Sequence, residues 1–152
     1  MVVDKKLIFR KINLIVRDLE KLKAISALSW QEYQKKFDYE ALTERYLERT
    51  IGRMIDINFH LIIENGCPPP EDYFSSFRML GELGIISRDL AEHLARLAGL
   101  RNRLAHEYDV IDERKIYNEL KNILKELPIY LRAVEKFSDQ NNRQRIIKLG
   151  NK

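Results

Sequence analysis

At 152 residues the chain is about one domain long, and its 45% apolar and 33% charged content with only six glycines and four prolines fits a folded helical protein and excludes a disordered one. No apolar run approaches the roughly 18 residues of a membrane span, no secretory signal pattern follows Met1, and the lone Cys67 rules out an intrachain disulfide, so a cytoplasmic protein with an ordinary loop thiol is expected. The net charge of +4 resides at the ends, because residues 1–30 carry seven basic and three acidic side chains and residues 138–152 four and one, whereas residues 31–137 carry sixteen and nineteen; a uniformly basic nucleic-acid-binding body is thereby excluded.

The first helix is predicted from Asp4, as N-cap, to about Ser29, with Ile8, Ile12, Ile15, Leu19 and Leu22 in the 4-3-4-3 spacing of a helix packed along another helix. Trp30 to Phe37 reads as a polar connection. A second helix follows Asp38 and ends at Gly66, with Leu47, Ile51, Met54, Ile55, Leu61 and Ile62 as its core stripe and Pro68, Pro69 and Pro70 as its stop. A short amphipathic helix is predicted over about Tyr73 to Leu83, and a third long one from Ser87 to Ala105, lined by Leu90, Leu94, Leu97 and Leu104. Asp112 is the predicted N-cap of a last helix through Ile116, Leu120, Ile123, Leu124 and Leu127, with Pro128 as a kink or end. No strand pattern or internal repeat occurs. The fold expected is all-α, an up-and-down bundle of four main helices plus one short helix over residues 1–137, followed by a polar, basic tail over 138–152.

Three residues near the end of the third long helix attract chemical interest. Arg101 falls in the middle of the leucine stripe, where a guanidinium is costly unless it meets an anion. That anion is either a carboxylate of another helix or a bound phosphate. His106 lies where the leucine pattern ceases, as either a cap or surface residue or a group that titrates near neutral pH for acid–base work. Tyr108 by itself reads as packing with a wet hydroxyl. On the second helix, Arg49, Arg53, Asp56 and His60 form a polar stripe flanked by Ile57, Phe59 and Ile63, a helix buried on more than one side. No H-E-x-x-H, C-x-x-C, P-loop or G-x-G-x-x-G motif is present, so neither a metal nor a cofactor is expected.

The run Arg101-Asn102-Arg103-Leu104-Ala105-His106-Glu107-Tyr108 is similar to the R-N-x-x-x-H-x-Y signature of the HepT-like toxin family in the HEPN superfamily of ribonucleases. The likeness extends through Phe77, Leu80, Gly84, Ile85 and Ile86 upstream and Ile111, Ile116 and Tyr117 downstream, covering about residues 4–137. Two fixed positions alone would be a weak match; with the Asn, the Tyr and the helical context it is specific. The resemblance implies a two-fold homodimer whose motifs face each other across a cleft, with RNA cut without a metal by attack of a 2′-hydroxyl on the neighbouring phosphate. By the same analogy Arg101 stabilises the pentacoordinate phosphorus, His106 moves the proton and Asn102 positions one of them or the RNA. Asp56 and His60 resemble a D-x-x-x-H pair that faces the motif in this family; the alternative is a solvated or dimer-facing charge stripe. The resemblance further implies a minimal nucleotidyltransferase antitoxin as partner, with Tyr108 as the residue to which it attaches AMP. The other function considered is a non-catalytic substrate- or partner-binding subunit of such a nucleotidyltransferase.

Overall fold

The computed structural model describes residues 3–106 and 110–150. Six helices follow one another: α1 (Lys5–Ser26), α2 (Trp30–Lys35), α3 (Phe37–Glu64), α4 (Tyr73–Glu82), α5 (Arg88–Ala105) and α6 (Glu113–Gly150). The four long ones form the expected bundle, and no strand occurs among the described residues.

Local chemistry sets most of the boundaries. Asp4, Ser29, Asp72, Ser87 and Asp112 each accept a backbone N–H three residues ahead, satisfying donors that the first turn of a helix leaves open. Gly66 and Gly84 stand at positive φ, 80° and 74°, just beyond the ends of α3 and α4. There they let the N–H groups of Cys67 and Ile85 return to the Ile62 and Leu80 carbonyls, a turn that closes a helix with least strain when the left-handed residue is glycine.

The predicted connection from Trp30 to Phe37 is instead the helix α2. Its signal was Ser29 followed three residues later by Glu32, whose N–H is held by the Ser29 hydroxyl at 3.1 Å. Tyr33 is then fully buried, and Trp30, Tyr33 and Tyr117 bring their ring centroids within 5.2–5.7 Å of one another. The bundle therefore carries two short helices rather than one.

Packing follows the predicted stripes on α1 and α3, all of whose named apolar residues are buried. On α5 the close-packed face differs from the leucine stripe. Ala91, Leu94, Ala95, Leu97 and Ala98 are buried, while Leu90 and Leu104 are only partly covered. Alanines are needed because α4 lies close: a Cβ on Gly81 would come within 2.8 Å of the Ala91 Cβ. A buried polar network crosses the centre, with Asn58 donating to the Ser76 hydroxyl at 3.2 Å and accepting from the Tyr130 hydroxyl at 2.6 Å. Each polar atom of this network has a partner, which is what makes its burial tolerable.

α6 passes Pro128 and remains helical to Gly150, so the change in composition at residue 138 falls within a helix. Ser138 is itself buried and donates to the Val134 carbonyl, and Lys5 pairs with Asp139. α6 lies chiefly along α1 and touches α5 little. The two helices joined by the motif loop thus diverge.

Candidate active site at the end of α5

Arg101 occupies the line that Leu94 and Ala98 begin on α5, and it is half-buried. Its guanidinium carbon stands 5.4 Å from the centre of the Tyr73 ring, which itself meets Phe59 edge-on at 6.3 Å. Three elements, α3, α4 and α5, therefore fix the arginine. Among the described residues Arg101 forms no ion pair. A π-face attracts a cation at a modest 0.5–2 kcal/mol or so without neutralising it, so the group stays available to an anion. Of the two readings of Arg101, the carboxylate partner is not found among the described residues.

Asn102 follows Arg101, partly buried. His106 is the C-cap of α5, with extended backbone (φ −101°, ψ 105°) and its N–H directed to the Arg103 carbonyl. Its imidazole is exposed. One turn of helix and a cap thus hold the arginine and the histidine on one end of the bundle. Tyr108 lies outside the described residues.

Asp56 and His60 make bonds to the α1 segment. The Asp56 carboxylate accepts from the Lys11 ammonium at 3.1 Å, and His60 Nε2 accepts the backbone N–H of Asp4 at 3.0 Å. Arg49 and Arg53 hold the buried Asp18 at 3.1 and 2.8 Å. All four members of the polar stripe on α3 therefore bond to α1 or to its cap residue Asp4, with the Asp56 side chain still 61% exposed. Spacing along the chain revealed the stripe but not its neighbour.

Two features around the motif were not anticipated. Tyr73 and Phe74 are each 37% exposed, and Tyr73, with Phe59 edge-on to it, puts aromatic surface beside Arg101. At the root of α6, Glu113 accepts from the Tyr33 hydroxyl at 2.9 Å. Its carboxyl is pushed up to about 7 by burial, by a hydrogen bond with Glu44 and by the charges of Glu44 and Asp112. Tyr33 is pushed up as well, by burial first. Among the described residues no three His, Cys, Asp or Glu side chains gather as a metal site, and no helix is long and apolar enough to cross a membrane.

A family model described as ribonuclease HepT-like matches residues 15–134. The chain is 32% identical over 135 residues, 89% of its own length and 92% of the relative's, to the tRNA nuclease HepT of Aphanizomenon flos-aquae. It is 20% identical over 129 residues, 85% and 96% of the two chains, to the mRNA nuclease HepT of Shewanella oneidensis. Among solved structures, the tri-AMPylated HEPN toxin of Shewanella oneidensis in complex with its MNT antitoxin superposes with a TM-score of 0.78 at 21% identity, over 86% of this chain and 97% of that one. With a motif of R-N-x-x-x-H-x-Y form at the end of a bundle helix, and a family match spanning most of its length, this chain belongs to the HepT-like ribonuclease family.

Proposed function

We propose that this protein is the ribonuclease toxin of a cytoplasmic toxin–antitoxin pair, working as a two-fold dimer and without a metal. The observation that carries the reading is Arg101, fixed on the Tyr73 ring one turn before His106 with no ion pair among the described residues. In RNA cleavage the 2′-oxygen attacks the adjacent phosphorus and the 5′-oxygen leaves. The charge that builds on the phosphoryl oxygens is met by guanidinium N–H donors, a role that needs no Lewis acid. A histidine takes the 2′-hydroxyl proton and a second, from the partner, protonates the leaving 5′-oxygen. Asn102, beside the arginine, orients one of these groups or the strand.

A single chain presents one histidine at this end, so the two roles require two copies. The partly exposed aromatic surface of Tyr73 and Phe74 supports a dimer face here, since exposed apolar patches beside a charged site mark association surfaces. The nucleotidyltransferase antitoxin would act on Tyr108: its hydroxyl attacks the α-phosphate of ATP, and pyrophosphate leaves. An added phosphodiester two residues from His106 would occupy the anion site and repel RNA. Relatives that are a tRNA nuclease and an mRNA nuclease support RNA as the substrate class here without choosing between the two.

The decisive experiment compares parent and His106→Ala for RNA cleavage in excess EDTA and for growth arrest on expression. The parent should cut and the variant should lose on the order of 10²–10⁴-fold, with helicity and sedimentation unchanged. A parent that needs magnesium, or a variant that cuts as well as the parent, replaces this reading with that of a binding subunit.

A further inference from the structure

An arginine can touch a phosphate from many rotamers but stabilises a phosphoryl transition state from only a few, so whatever selects its rotamer contributes to the reaction. At Arg101 that selection comes from α4. The first two residues of α4, Tyr73 and Phe74, both lie against the C-terminal half of α5. Tyr73 places its ring 5.4 Å from the guanidinium carbon of Arg101. Phe74 lies over Gly99, two residues earlier, where a Cβ would stand 3.2 Å from the ring carbon Cζ.

Gly99 sits inside α5, where glycine weakens a helix relative to alanine; the close Phe74 ring accounts for it. The α4–α5 hairpin is thus closed by a glycine at each end. Near the turn Gly81 of α4 meets Ala91, and at the open end Gly99 of α5 meets Phe74. Packing at these two points fixes the slide of α4 along α5, and with it the height of the Tyr73 ring beside Arg101. The ring is held from a third element as well, since Phe59 of α3 meets it edge-on at 6.3 Å and 77°. The tyrosine hydroxyls that bond among the described residues are those of Tyr33, Tyr117 and Tyr130; that of Tyr73 does not, so it is the ring that is engaged.

We infer that Tyr73 is a positioning residue for RNA cleavage, its ring face selecting the rotamer from which Arg101 meets the phosphate without taking up the guanidinium N–H donors. The inference rests on the ribonuclease reading for the phosphate. A carboxylate in the same place would hold the arginine harder, but it would occupy those donors and cancel the charge. An aliphatic side chain would leave the donors free and the rotamer unselected. An aromatic face orients the group and keeps it available.

The test is a double-mutant cycle assayed on a short RNA. Tyr73→Leu keeps apolar volume at a site that is 37% exposed and leaves the Asp72 cap of α4 in place, so helicity and sedimentation should match the parent. Its kcat should fall on the order of 10–100-fold with KM near that of the parent, because the ring acts on the arginine rather than on bound RNA. Tyr73→Phe, which retains the ring, should keep most of the parent rate. In an Arg101→Ala background, Tyr73→Leu should cost nothing further. A second readout is independent of cleavage: the ring current should displace the NMR signals of the Arg101 side chain in the parent and in Tyr73→Phe, and not in Tyr73→Leu. An unchanged kcat in Tyr73→Leu, a Tyr73→Phe as slow as Tyr73→Leu, or a loss that persists in the Arg101→Ala background overturns the inference and leaves the ribonuclease reading intact. With a parent that cuts no RNA the ribonuclease reading falls, and the ring-current pattern alone then upholds or overturns the orientation of Arg101 by Tyr73.

Discussion

Two regions of this molecule carry arginines at helical spacing, and they have opposite fates. Along the α1–α3 seam each cation meets an anion of the facing helix: Arg49 and Arg53 on Asp18, Lys11 on Asp56. Toward the end of α5, Arg101, Arg96 and Arg103 have no such partner among the described residues, and Arg101 rests on an aromatic face. A paired charge contributes to the fold, whereas an arginine fixed without a carboxylate remains able to take a phosphate. Charge patterning in the sequence marks both kinds equally; only the neighbour across the helix separates them.

The sharpest way to break this contrast is to remove one arginine from each region. Arg101→Ala should lower RNA cleavage on the order of 10²–10³-fold, the usual cost of losing one donor to a charged transition state, while thermal stability changes little. A variant that cuts normally would place Arg101 with the seam arginines. Arg53→Ala should do the reverse. It removes a 2.8 Å bond to Asp18, which is 4% exposed, and a donor to the Leu14 carbonyl. The loss in chemical denaturation should be about 1.5–3 kcal/mol, the range for hydrogen bonds to charged groups, with cleavage per folded molecule retained.

Glu113 sharpens the comparison through pH. Its carboxyl lies at about 7 in the folded protein against an ordinary 4.5, so the folded state holds the proton more tightly. Stability from this group is fully present below about 4.5 and is lost as pH rises through about 7. The melting temperature should therefore fall between pH 5 and pH 7.5, and more steeply in the parent than in Glu113→Gln. Equal slopes would remove the Glu113 carboxyl as a source of pH dependence.

The smallest effect is expected from Asp56→Ala. Its pair with Lys11 is exposed, at 61% for the aspartate side chain, and such pairs contribute about 0–1 kcal/mol. Cleavage should stay near that of the parent. A collapse of cleavage with stability intact would return Asp56 to the active site, reached there from the second protomer.

The sequence alone determined the four long helices, the short α4 and the motif. Apolar residues at 3.6-residue spacing have to be buried along one face, so the stripes on α1 and α3 and the caps at Asp4, Ser87 and Asp112 were legible without a structure. The motif was legible through its resemblance to the R-N-x-x-x-H-x-Y signature, toward which an arginine on an apolar stripe near a helix boundary pointed. The helix α2 was legible too, through Ser29 and Glu32, but its six residues are too few for periodicity to register. Other features belonged to the tertiary structure. Periodicity gives the direction of a side chain from its own axis and says nothing of what stands opposite, so it left open what Asp56 and His60 meet within the chain, which is Lys11 and the Asp4 N–H. The Tyr73 ring under Arg101 and the divergence of α5 from α6 are likewise contacts and gaps between elements distant in sequence. They arise from how closely α4 packs on α5 and how far α6 leans toward α1, which steric fit among all six helices decides.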